Sequence, residues 1–138
     1  MTLAPGFIDA LRASSAASPF NQWSGFEVVS CGEGTAELAM AWKAEATQHV
    51  GFLHAGVVGA LIDTVCGYAA ATRAGPVLTS HYSVNFMVPA VGTRFRAVGR
   101  VVRAGKRQIF TAAELYAEKD GTERLVATGE ALLMPVAG

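Results

Sequence analysis

Cysteine is scarce in this chain. Cys31 and Cys66 are the two in 138 residues, and they lie 35 positions apart with no CxxC pair and no Cys/His spacing of a metal site. That pattern excludes a disulfide framework and a structural zinc cluster, and isolated thiols suit the reducing cytoplasm. Charge is also sparse, at 16% of residues, and eleven basic side chains balance eleven acidic ones. A balance of that kind leaves no basic stripe for nucleic acid. So little charge points instead to a surface partly buried against another subunit. The continuous apolar stretches stop well short of the roughly 18 residues that suggest a membrane span. The N-terminus lacks the basic-then-apolar order of a signal peptide. Hydrophobic residues make up 51% of the chain, far too many for a disordered one. With no linker, repeat or low-complexity segment, the expectation is one globular domain over residues 1–138, acting in the cytoplasm with no metal and no cofactor.

Residues 5–17 have the composition of a short helix, with Pro5 well placed near its start. Residues 18–22 break that helix, so 1–22 reads as an N-terminal helix and connector. Strands are expected at 25–31 and 35–43 around the glycine-rich turn 32–34, and residues 44–53 read as a loop without period. Residues 54–76 (HAGVVGALIDTVCGYAAATRAGP) carry the one long helical signal: no internal proline, and Gly75-Pro76 as a stop. Beyond it the sequence reads as strands at 78–90, 93–103, 107–119 and 123–134. The last two are joined by Asp120-Gly121, a strong hairpin turn. Ile109, Ala113 and Leu115 alternate with Gln108 and Glu114, as a half-buried strand requires. A long helix against a meandering antiparallel sheet makes an α+β fold.

On a helix of 3.6 residues per turn, Val58, Leu61, Ile62, Val65, Tyr68, Ala69 and Thr72 share one stripe suited to a sheet. The opposite stripe holds Gly56, Gly59, Ala60, Asp63, Gly67 and Ala70. Helical glycine costs up to about 1 kcal/mol relative to alanine, so three on one stripe suggest that something packs close there. A lone aspartate in a helix is commonly just solvated. In a crevice of small residues it is a candidate base or nucleophile. The first amides, Ala55 and Gly56, lack intrahelical partners and sit at the positive end of the dipole. Water or the His54 backbone can cap such amides, or they can hold an oxyanion. Ala55 and Asp63 are eight residues apart, about 12 Å along the axis at 1.5 Å per residue, too far to act on one carbonyl. Two antiparallel helices about a twofold axis bring the amide of one to the carboxylate of the other. The site, if the two features cooperate, lies at an isologous interface.

The run Gln48-His49-Val50-Gly51-Phe52-Leu53-His54-Ala55-Gly56, followed by Leu61-Ile62-Asp63 and Gly67, resembles the phenylacetate-pathway branch of the hotdog thioesterases. Later segments fit in order: 85–90 (NFMVPA), Gly105-Lys106-Arg107, the Asp120-Gly121 turn and Ala127-Thr128-Gly129. The likeness covers roughly residues 18–135 and implies the hotdog fold, a long central helix wrapped by an antiparallel sheet. It implies a homo-oligomer, a dimer or dimer of dimers, that hydrolyses an acyl-CoA thioester with neither metal nor organic cofactor. Under it the Ala55 N–H would polarise the thioester carbonyl and Asp63 of the other subunit would attack it or activate water. Gln48 would help place the carbonyl or water, and His54 would support the thioester end or fix its loop. Gly56 would lie against the substrate. Gly67 stands where some relatives have a water-binding Ser or Thr. Thr79 matches the strand hydroxyl of others and is preferred over Ser80 and Thr64. Ala55 replaces a glycine but keeps the N–H, and its methyl narrows the space for the acyl group.

Arg103, Lys106 and Arg107 cluster at a turn. They are either simply solvated or, as the resemblance implies, close to the CoA phosphates, which arginine binds well. Trp23, Trp42 and Phe20 suit the core better than an acyl pocket, and His49 and His81 have no partner pattern. A competing class is a non-catalytic acyl-CoA-binding hotdog module, which would have no use for Asp63. A hotdog enoyl-CoA hydratase relies on an Asp/His motif that this sequence does not contain. Neither nucleic acid nor membrane is expected as a partner.

Overall fold

Ser18 and Pro19 set the start of the fold. Residues 7–17 form the first helix, α1 (Phe7–Ala17), but the following segment restarts rather than breaking into coil, as α2 (Pro19–Ser24). The Ser18 hydroxyl caps the Asn21 N–H and Pro19 occupies the first turn, where its missing N–H is no loss. The connector expected up to residue 22 is therefore largely helical. In the computed structural model, which describes residues 3–136, these helices lead into β1 (Glu27–Gly32) and β2 (Thr35–Ala41). The loop that follows contains one 3-10 turn, Ala44–Ala46, and a bridge between Thr47 and Leu53. Next come α3 (Ala55–Ala74), β3 (Val77–Phe86), β4 (Arg94–Ala104), β5 (Ile109–Lys119) and β6 (Thr122–Pro135). Asp120 and Gly121 both take positive φ, 53° and 77°, as the two-residue hairpin between β5 and β6 demands.

The strands form a single antiparallel sheet in the order β1-β2-β4-β5-β6-β3. β3 leaves α3 and joins the far edge beside β6, so the sheet encloses the helix. Leu61, Ile62, Val65 and Ala69 are fully buried against it, as their stripe predicts. Val57, Cys66 and Ala70 are buried as well. Ala70 was expected on the opposite stripe, and its burial shows the sheet wrapping further round the helix than one amphipathic face implies. By length and composition α3 is apolar enough to cross a bilayer, a property the short continuous runs do not suggest. Here that apolar surface faces the sheet.

Two strand glycines allow this close contact. A Cβ on Gly99 of β4 would lie 2.8 Å from the Val65 carbonyl oxygen, and one on Gly129 of β6 would lie 2.5 Å from Ile62 Cγ2 and 2.8 Å from the Ser83 carbonyl oxygen. The helix glycines behave differently. Tyr82 packs over Gly59, His54 lies beside Gly56, and the space at Gly67 is open within the chain.

The two edges of the sheet are unlike. Beside β1, Arg12 of α1 donates to the carbonyls of Val28 and Val29, at 3.1 and 3.2 Å, where the β1–β2 register slips. Among the described residues β3 has no strand on its outer side, and its side chains are exposed along most of its length, Leu78 at 62% and Phe86 at 56%. A long exposed edge with unpaired backbone groups is a template for another strand.

Because the Val65 carbonyl is held in the helix ladder, it has little freedom to move away from a new methyl. Gly99→Ala should therefore lower unfolding free energy by about 1–3 kcal/mol. Urea denaturation checks this, and an unchanged midpoint would mean that the helix and sheet do not meet there.

Candidate active site

Asp63 sits mid-helix, half-buried, with its carboxylate directed at β3. The Thr79 hydroxyl donates to Asp63 Oδ1 at 2.6 Å. The register of β3 against β6 slips between Thr79 and His81, so Thr79 faces the helix while Ser80 falls in the bulge and donates to the Leu132 carbonyl. Of the three hydroxyls considered beside Asp63, Thr79 is the one hydrogen-bonded to it. Oδ2 keeps no partner among the described residues and opens on a cleft of about 530 Å³ lined by α1, α3 and β3.

The other half of the constellation lies at the start of α3. His54 is the N-cap residue, and its Nδ1 accepts the Gly56 N–H at 2.8 Å. An imidazole that accepts at Nδ1 carries its proton on Nε2, so Nε2–H remains a donor. The cap takes up Gly56, while the Ala55 N–H has no acceptor among the described residues. One amide at the positive end of a 20-residue helix is thus free for an oxyanion. Gln48 spends its side-chain carbonyl on its own loop, accepting from Val50 N at 2.7 Å and Phe52 N at 3.2 Å, which leaves the Nε2 hydrogens to donate. Gln48 and Ala55 line a second cleft, of about 350 Å³, with Phe52, Phe86, Met87 and Pro89.

The two halves are not brought together within one chain. Asp63 and Thr79 line one cleft and Gln48 and Ala55 the other, with about 12 Å of helix between Ala55 and Asp63. Arg103, Lys106 and Arg107 are exposed at the β4–β5 turn with no acidic partner among the described residues. Arg103 and Arg107 border a shallow depression with Phe110 and Met134. Thr79 pairs with Leu133, Leu133 with Ile109 and Ile109 with Ala104, so the basic turn lies three strands away, about 14 Å at the usual spacing. Cys66 plays no part: burial pushes its thiol up to about 11, so it is a neutral core group. Among the described residues no group of three His, Cys, Asp or Glu side chains is placed to hold a metal.

The sequence matches the thioesterase superfamily over residues 50–124, from the loop before α3 into β6. The chain belongs to that superfamily. A structure of a thioesterase family protein from Silicibacter pomeroyi superposes with a TM-score of 0.92 at 38% identity, covering 96% of this chain and all of that one. A protein of Saccharolobus solfataricus described as a candidate esterase is 31% identical over 97 residues, 69% of either chain. The E. coli PaaI protein, from the phenylacetic acid degradation operon, has the same fold with a TM-score of 0.86 at 20% identity, covering 95% of this chain and 94% of that one. The fold is therefore the hotdog of the superfamily, and the general chemistry is thioester hydrolysis.

Sequence reasoning did not find Asn21 and Tyr68, which line the Asp63 cleft together. Tyr68 stood in the sheet-facing stripe and Asn21 in the connector; they meet across 47 positions, and no local pattern signals that contact.

The His54 cap is testable by itself. His54→Ala should cost about 1 kcal/mol of stability, because the Gly56 N–H loses its acceptor, and His54→Asn should restore most of it, since asparagine caps well. Thermal unfolding of both variants decides; equal losses would assign the effect to some other contact of the ring.

Proposed function

We propose that this protein hydrolyses an acyl-CoA thioester to the free acid and CoA, as a member of the phenylacetate-pathway branch, at sites shared between two subunits. The observation that carries this reading is the division of one constellation between two clefts at either end of the same helix half. Each cleft alone is chemically incomplete: one has a carboxylate and a hydroxyl, the other an unpaired amide and a carboxamide donor. A twofold axis beside β3 would bring Asp63 of one chain to the Ala55 amide of the other. The exposed edge of β3 supports that axis, because pairing it with its copy would satisfy its backbone and cover Leu78, Tyr82 and Phe86. Val102, Phe110 and Met134, exposed on the outer face, would suit a second contact between such dimers.

In the reaction the carbonyl oxygen accepts from the Ala55 N–H. Gln48 donates to the carbonyl or the water, and the His54 cap holds the helix start in place, with Gly56 against the substrate. Asp63, oriented through Oδ1 by Thr79, uses Oδ2 to take a proton from water as it adds to the carbonyl carbon, or attacks that carbon itself to form an acyl–Asp63 anhydride that water hydrolyses to the free acid once CoA has left. The tetrahedral oxyanion is held by the amide. The C–S bond then breaks, CoA leaves as a thiolate and ends protonated, and no metal is needed because a thiolate leaves readily at neutral pH. Arg103, Lys106 and Arg107 are assigned to the CoA phosphates. We place the reaction in the cytoplasm, where the unpaired Cys31 and Cys66 stay thiols.

Thiol release from phenylacetyl- and benzoyl-CoA tests the reading against a non-catalytic acyl-CoA-binding module. Asp63→Asn should lower turnover by about a hundredfold or more while the protein stays folded. Gln48→Ala and Thr79→Ala should each have a smaller effect, about 1–3 kcal/mol of transition-state stabilisation. An Asp63→Asn protein within a few-fold of the parent would remove that carboxylate from the mechanism.

Subunit mixing tests the shared site. Asp63→Asn mixed with an inactive Gly56→Trp protein should regain activity, because a mixed dimer holds one doubly defective site and one intact site. Random exchange makes about half the dimers mixed, so roughly a quarter of all sites should work. Exchange is followed by native mass spectrometry of tagged chains. Mixed dimers that form and remain inactive would contradict a site built from two chains.

A further inference from the structure

Tyr82 of β3 takes no part in the proposed chemistry, yet its ring lies on the small-residue stripe of α3. A Cβ on Gly59 would stand 3.3 Å from the Tyr82 hydroxyl and 3.5 Å from Cε2, so the phenol end of the ring rests on bare helix backbone. The hydroxyl has no hydrogen-bond partner among the described residues, and Tyr82 is 45% exposed on the edge strand. Gly59 lies four residues after Ala55 and four before Asp63, about 6 Å of helix axis from each. The strand follows the same spacing. Thr79, which bonds Asp63, pairs with Leu133. Beyond the register slip Tyr82 pairs with Ala131, two ladder steps or about 6.6 Å further. Tyr82 therefore stands midway between the levels of the carboxylate and the helix-start amide.

Symmetry gives that midpoint a meaning. If Asp63 of each chain faces the Ala55 amide of the other, the twofold axis crosses α3 at the level of Gly59 and β3 at Tyr82. We propose that Tyr82 is a positioning residue: the two Tyr82 side chains, one from each subunit, meet on that axis and set the spacing at which Asp63 of one chain faces the amide of the other. Each ring rests on its own Gly59, so the pair fills the gap between the two helices and stops them from closing further. Each hydroxyl is both donor and acceptor, so the two satisfy one another. This inference rests on the shared site of the proposed hydrolysis.

The test begins with Tyr82→Cys. Residues that face each other in antiparallel strands have Cα atoms about 4.5–5.5 Å apart, within reach of a disulfide. Mild oxidation should therefore link most Tyr82→Cys chains into covalent dimers, beyond the background from Cys31 in the unaltered protein. Ser83→Cys should stay at that background, because two residues 83 would lie two positions out of step, roughly 8 Å apart. Kinetics then test the spacing. Tyr82→Ala should lower kcat about tenfold or more, with KM within about threefold, in protein that sedimentation shows to be dimeric. Gly59→Ala should lower kcat about fivefold, but by no more than about twofold when added to Tyr82→Phe, because the hydroxyl is the atom nearest the new methyl. A merely structural contact would not give that suppression. Equal crosslinking at 82 and 83, none at 82, a Tyr82→Ala dimer of unchanged kcat, or a Gly59→Ala loss that persists without the hydroxyl would each overturn the assignment. Turnover and crosslinking together separate the two readings. Thioester hydrolysis without a crosslink at 82 would retain the thioesterase and discard Tyr82. A crosslink at 82 when the unaltered protein hydrolyses no acyl-CoA would discard the hydrolysis, and the positioning role with it.

Discussion

The contact between α3 and the concave face of the sheet is what everything else depends on. A helix and a sheet normally keep side chains between them, but at Gly99 and Gly129 a strand offers none. The strand there meets a carbonyl of Val65 or the branched side chain of Ile62 directly. Close-packed interiors transmit such constraints, so the axial position and rotation of α3 are fixed together. Fixing them decides which helix residues reach the open sides of the fold. Asp63 emerges toward β3 because Ile62, Val65 and Cys66 are held against the strands.

That rotation gives the two ends of the constellation their different chemistry. At the helix start the dipole and the His54 cap leave one amide free, a donor that needs no side chain. Halfway along the helix the dipole has no comparable effect, and the polar group has to be a side chain, held by another from β3. A rigid helix keeps the two about 12 Å apart, whatever the loops do. The fold therefore carries two separate clusters of polar groups rather than one, and the edge strand β3 lies next to the one that contains Asp63. Sheet edge and carboxylate lie on the same side because β3 is the edge strand of the sheet and carries Thr79 against Asp63.

Much of the candidate site could be located in the sequence, but less of its surroundings. The long helix was legible because proline is absent from 54–75 and Gly75-Pro76 ends it. The strands were legible because their side chains alternate, and the Asp120-Gly121 turn because few residue types accept positive φ. Thr79 over Ser80 was not decided by alternation, since both are small hydroxyl residues on one strand; the register slip beside them, a tertiary feature, turns one inward. Ala70 was misplaced because the stripe argument assumes a flat sheet under the helix. The first helix does break at Ser18, but the residues after it were misread as connector because those that stop one helix are good starters of the next.

Where the helix and strands run, which carboxylate is isolated among small residues, and that one helix separates it from the helix-start amide by more than a carbonyl can bridge are all legible along the chain. These are local or axial properties, set by backbone sterics and a fixed rise per residue. That Thr79 meets Asp63, that the His54 ring takes up the Gly56 N–H and leaves that of Ala55 without an acceptor among the described residues, and that Asn21 comes to rest against Tyr68 emerge from the folded arrangement alone. Those depend on how strands curve and how far a helix sinks between them. Such distances follow from packing many distant residues at once, and no spacing along the chain encodes them.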